Sequence, residues 1–108
     1  MVASSAAIAL DIYVLDVLMR DLVGHDKKPS AFIVYLYLAA RIEREMTHCV
    51  EASYGTIASA TGLSKSAVQH AIGHLKKRKL IMVSRDSPTS TPQYRLHRHW
   101  RLRLRGSS

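Results

Sequence analysis

The sequence predicts a small α+β domain, mainly helical, and three observations carry that prediction. Of its 108 residues 47% are hydrophobic, while only 5 are glycine and 3 proline, which fits an ordered chain with few breaks. Between Leu10 and Lys77 apolar residues recur at helical spacing in separate stretches. After Leu80 the pattern changes to two short stretches that alternate with a period of two. The length suits one domain with a modest core.

Residues 10–23 (LDIYVLDVLMRDLV), from Leu10 to Val23, read as a helix of about four turns that stops at Gly24. Its polar residues Asp11, Asp16, Arg20 and Asp21 are spread around the axis, so its apolar surface is wider than one neighbour needs. A linker follows, and Ser30 is expected to cap a second helix over residues 31–46, apolar at first and charged at its end. THCVEA is short and β-compatible. Ser53 then caps a brief helix over 54–60, Thr61 and Gly62 make a turn, and Ser64 caps a helix from Lys65 to Lys77. Residues 80–84 and 93–97 read as strands that place Ile81, Val83, Tyr94 and Leu96 on one face. RDSPTSTP between them makes the pair a long-looped hairpin. The tail alternates Arg with Leu after Trp100. It reads either as an arginine arm along a polyanion, which the lack of local acids favours, or as an end whose leucines pack while its arginines stay wet.

The net charge of +8 is unevenly placed. Residues 1–51 hold five Lys/Arg against seven Asp/Glu, and residues 52–108 hold eleven against one, Asp86. A half-chain this basic is expected to meet a polyanion, nucleic acid or an anionic lipid surface, against the plainer reading of a solvated basic surface. Cys49 stands alone, which excludes an intrachain disulfide and fits a reducing cytoplasm. The N-terminal MVASSAAIAL lacks the basic start of a secretory signal, and Asp11 and Asp16 interrupt the apolar run after it. The apolar run 31–40 stops at Arg41, far short of the ~20 residues a membrane span needs. A cytoplasmic protein without membrane contact is therefore expected.

Within Lys65–Lys77, at about 100° per residue, Val68, Ala71, Ile72 and Leu75 form one buried stripe. Ser66, Gln69, His70, Gly73 and Lys77 fall opposite, on a face with no carboxylate. A merely solvated face usually mixes signs, so that absence is informative. Two helices crossing at roughly 90–120° through a tight turn need a small residue where the axes approach, here Ala58. They need a residue tolerant of positive φ in the turn, here Gly62, and apolar locks, here Ile57, Leu63, Val68 and Ile72.

At these residues the chain resembles a known family. SYGTIASATGLSKSAVQHAIGHLKKRKLI, with a loop and QYRLH after it, looks like the winged helix-turn-helix DNA-binding domain of bacterial regulators and replication initiators. The resemblance covers about residues 30–98 and is most specific from Thr56 to Ile81. It implies a three-helix core with a β-hairpin wing, here with an extra N-terminal helix. One departure is Lys79, where this family very often has glycine before the first wing strand; a positive φ there would be mildly strained. The resemblance implies that the helix Lys65–Lys77 enters the major groove of double-stranded DNA, with Lys65, Ser66, Gln69 and His70 reaching base edges. Gln suits bidentate pairing with adenine and Lys suits guanine. Ser64 and the helix N-terminus would hold a phosphate. Lys76, Lys77, Arg78 and Lys79 would meet phosphates or solvent. Arg85 and the wing tip would lie over the backbone or minor groove and position rather than read, and Arg95 on the second wing strand joins the contact set.

The other constellations are weaker. His70 and His74 stand one turn apart, and His97 and His99 alternate, but no acid or thiol lies nearby in sequence and zinc wants three or four ligands, so no metal site is expected. His48 beside Cys49 lacks an oxyanion loop or partner acid, and Phe32, Tyr35 and Tyr37 at helical spacing are core or interface. Without a phosphate-binding glycine loop no nucleotide chemistry is expected. An enzyme, a cofactor and a small-molecule ligand are accordingly not expected. The organisation expected is an N-terminal helix and linker over 1–28, a DNA-binding domain over 29–98 and a basic tail over 99–108. One motif reads only a few base pairs, so a homodimer is expected, paired through the helix 10–23, against the plainer reading that this helix only completes the monomer core against residues 31–40. The function expected is that of a transcriptional regulator. Its rivals are a replication-initiator or plasmid-maintenance module, and a winged helix that docks an acidic protein instead of DNA.

Overall fold

The computed structural model of the protein describes residues 7–101. The first helix, α1, runs over 12–25 and is wound as a π-helix over Val14–Leu18 and Arg20–His25. Its hydrogen bonds reach five residues back, as from Met19 N–H to Val14 O and from Asp26 N–H to Asp21 O. Gly24 is not the stop that the sequence suggests. It lies inside the last turn, and the left-handed residue that ends the helix is Lys27, at φ 57°. Val14, Leu18 and Leu22 are buried against α2, whereas Ile12 (73% exposed), Leu15 (48%), Met19 (42%) and Val23 (39%) face outward.

Helix α2 spans Pro29–Glu45. Proline stands at its first position, where its missing N–H is no loss, so Ser30 sits inside the first turn rather than capping it. Lys28 occupies the cap position without a side-chain bond, and Met46, left-handed at φ 52°, closes the other end. Along α2 the residues Phe32, Tyr35, Leu38 and Ile42 are buried, and the helix packs against α1, α3 and α4. Helix α3 is Tyr54–Thr61 and helix α4 is Lys65–Lys77.

The sheet is antiparallel, in the order β1–β3–β2, with β1 at Val50–Glu51, β2 at Ile81–Ser84 and β3 at Gln93–Leu96. In the wing, Ile81 faces Leu96 and Val83 faces Tyr94, the shared face that the alternation predicts. The β-compatible stretch before α3 adds a third strand, with Val50 opposite Tyr94. Burial raises the Tyr94 phenol to about 12 and raises Tyr35 as well, and neither hydroxyl finds a partner among the described residues.

The start of the tail departs from the arginine-arm expectation. Trp100 is buried and stacks on Tyr13 at 4.4 Å, and its indole N–H donates to Asp11 Oδ2 at 2.7 Å. Arg101 grips the same carboxylate through Nε and Nη2, both at 2.7 Å. These donors, Arg101 first, hold Asp11 at about 2 although its partial burial opposes them. The acid that the tail lacks locally is supplied by Asp11, the residue just before α1. Residues 102–108, with the rest of the Arg–Leu alternation, lie outside the described residues.

Candidate nucleic-acid interface

Two serines and a glycine shape the bend between α3 and α4. Ser53 Oγ accepts from Thr56 N–H, and Ser64 Oγ accepts from Ala67 N–H, each at 3.0 Å, so both helices begin on satisfied donors. Gly62 adopts φ 83°, a left-handed turn that a side chain would strain, and its N–H closes α3 on Ala58 O at 2.9 Å. Thr61 Oγ1 donates to Ile57 O at 2.7 Å and accepts from Leu63 N–H at 3.3 Å, which braces the turn.

Helix α4 buries Val68, Ala71, Ile72 and Leu75, the stripe that its spacing predicts. Ser64, Lys65, Ser66, Gln69 and His70 are exposed together along its first two turns, and Lys76 and Lys77 are exposed on its last. The rise of an α-helix puts Lys76 about 16 Å along the axis from Lys65. Lys65 lies across the start of α3: a side-chain carbon on Gly55 would come within 3.3 Å of its Cε. Beside it Ser53, Thr56 and Ser59 line a shallow concavity. Those hydroxyls extend the polar surface at the N-terminus of α4. The sequence signal for them is a Ser/Thr at every third position from Ser53 to Ser59, of which cap chemistry alone accounts only for Ser53.

Three of the predicted contact residues lie beyond α4. Arg78 is not a free cation, since its Nε meets Asp26 Oδ2 at 3.0 Å and its Nη2 lies 3.7 Å from Asp21. Arg85 Nη1 donates to Ser90 O at 2.9 Å and ties down the wing loop, which closes on itself through Ser90 Oγ to Ser87 O at 2.8 Å. Arg95 is exposed on β3 opposite Met82, on the wing's outer side. His74 turns to Asp26, Nε2 to Oδ2 at 2.8 Å, while His25 Nδ1 meets the other oxygen at 2.9 Å. The hydrogen bonds from His25 and His74, with the charge of Arg78, hold the Asp26 carboxyl below its ordinary value.

The separation of charge along the chain thus does not survive folding intact. Acids of the first half meet cations of the second, Asp26 and Asp21 on Arg78, Glu43 on Arg98 at 3.4 Å, and Asp11 on Arg101. The outer face of α4 is left uncompensated, with no carboxylate on it. Among the described residues no helix is long and apolar enough to cross a membrane.

Helices α2, α3 and α4, a glycine turn between the last two, and a β-hairpin directly after α4 define a winged helix-turn-helix domain. The chain belongs to a helix-turn-helix domain family, which matches it over residues 25–81, just over half its length. No curated protein and no solved structure gives a match. Helix-turn-helix domains are built to present one helix to DNA, and DNA binding is the activity that this membership suggests.

Proposed function

We propose that this protein binds double-stranded DNA in a sequence-specific way and acts as a transcriptional regulator of bacterial type, with α4 in the major groove. The observation that carries the reading is the exposed, carboxylate-free face of α4, capped by Ser64 and flanked by Lys65. Gln69 and His70 stand at its centre as base readers, Lys65 and Ser66 at its start, and Lys76 and Lys77 contact phosphates at its end. Ser64 offers its hydroxyl proton and the helix N-terminus to a phosphate. Arg85 and Arg95 place the wing, and Arg78 contributes only through the charge that Asp26 and Asp21 leave it. Selection of bound duplexes from a random pool tests the reading. On the selected site Gln69→Ala is expected to lose roughly 1–3 kcal/mol and relax one base position, whereas Lys77→Ala weakens all sequences alike. Equal losses of Gln69→Ala on selected and random DNA would remove α4 as the reader.

The protein works as a homodimer in this reading, paired through α1. One face of α1 completes the monomer core and the other exposes Ile12, Leu15, Met19 and Val23 beside Asp16 and Arg20, uncovered among the described residues, so in this reading a second copy covers it about a two-fold axis. Residues 1–28 then form the pairing element, 29–98 the DNA-binding domain and 99–108 a basic tail anchored at its start. A palindromic consensus from the selection fits a regulator, and direct repeats fit a replication initiator. Sequence-independent binding fits a docking module.

A further inference from the structure

The wing ends in an open strand. In the order β1–β3–β2 no strand lies beyond β2 among the described residues. His97 N–H donates to Leu80 O at 2.9 Å, and the register pairs Met82 with Arg95 and Ser84 with Gln93. Antiparallel pairing alternates, so Met82 and Ser84 direct their backbone groups at β3, while the N–H and C=O of Ile81 and Val83 point out of the sheet. Strand edges are commonly guarded by a charge or a proline, and β2, Ile-Met-Val-Ser, carries neither.

A groove runs along this edge, lined by Ile81, Met82 and Val83 with Lys76, Lys79 and His97. Its floor is apolar, with Met82 51% exposed, and its rim is cationic with no carboxylate. The lysine at 79 is a second, independent sign. It holds φ 60°, a conformation that glycine adopts freely and lysine does not, and the strained residue lines the groove.

We infer that the β2 edge is a docking site for an extended acidic segment of a partner protein, which adds as a strand outside β2. Its backbone pairs with Ile81 and Val83, its carboxylates meet Lys76 and Lys79, and an apolar side chain between them covers Met82. A second copy of the chain fits poorly, because its own Lys76 and Lys79 would face these. DNA has no peptide backbone to pair with Ile81 and Val83 as an added strand. The site is separate from the base-reading end of α4, shares only Lys76 with the proposed phosphate contacts, and stands whether or not that face reads DNA.

The test uses the full chain, labelled for amide NMR, and a short peptide alternating glutamate with valine. Expected are shifts and exchange protection at the amides of Ile81 and Val83, and at least about tenfold weaker binding when the peptide backbone is N-methylated. Lys79→Gly and Met82→Glu each weaken the complex several-fold. No response at millimolar peptide overturns the inference, and so does equal binding of the N-methylated peptide, which marks bare charge attraction. Displacement of the peptide by random duplex DNA, with the same two amides shifting on DNA alone, assigns the edge to nucleic acid and overturns it too. Amides of Ile81 and Val83 already protected in a concentration-dependent way assign it to a second copy, with the same consequence.

Discussion

Lys79 costs stability where it stands. A left-handed lysine is roughly 1 kcal/mol worse than glycine, so Lys79→Gly is expected to raise the unfolding free energy by about that much, read as a higher urea midpoint with the slope unchanged. A lower midpoint would mean that its side chain packs better than its backbone is strained. Asp11 makes the opposite contribution. Its carboxyl is held at about 2 against an ordinary 3.8, so the folded state binds its proton less readily than the unfolded chain does. The latch therefore contributes fully above about pH 4 and is lost as the pH falls towards 2. For a side chain 26% exposed the contribution is about 2 kcal/mol. Unfolding curves of the protein and of Asp11→Asn should converge over that window. Curves that stay parallel would show that Trp100 and Arg101 do not depend on this charge.

Helix α1 has an apolar surface wider than the monomer core uses, and the proposed dimer would cover the remainder. Val14, Leu18 and Leu22 belong to the monomer core, which a truncation before α2 would open. Leu15 and Met19, half exposed on the other side, are free to change. Leu15→Glu with Met19→Lys is expected to leave the monomer folded and to abolish dimer formation, read by light scattering at high micromolar concentration. A full-length protein already monomeric at that concentration would remove the pairing role and leave α1 a core helix with a bare side.

The electrostatic case is made for the whole molecule. With Arg78, Arg98 and Arg101 engaged by carboxylates, fewer cations are free for phosphate than the eleven of the basic half suggest. Log K for DNA should fall with log salt at about −0.9 per phosphate neutralised. Lys65, Lys76, Lys77, Arg85 and Arg95 acting together would give a slope near −4.5 for one protomer. A flat dependence between low and moderate salt would exclude phosphate contact as the basis of binding.

Local rules were enough for much of this fold. Ser53, Gly62 and Ser64 mark their caps and turn because side-chain oxygens and glycine act within three residues of chain. The stripe Val68–Ala71–Ile72–Leu75, and the facing pairs of the wing, follow from the periods of helix and strand, which need no partner to be read. The exposed face of α4 was legible for the same reason. Four features were decided only by tertiary structure. These are the π-winding of α1 through Gly24, the pairing of β1 with β3, the capture of Trp100 and Arg101 by Asp11, and the withdrawal of Arg78 and His74 onto Asp26. Asp11 and Trp100 stand at opposite ends of the chain, and Asp26 and His74 on different elements. An ion pair or a strand pairing forms where folding brings two groups within about 3 Å, and no periodicity along the chain encodes that distance.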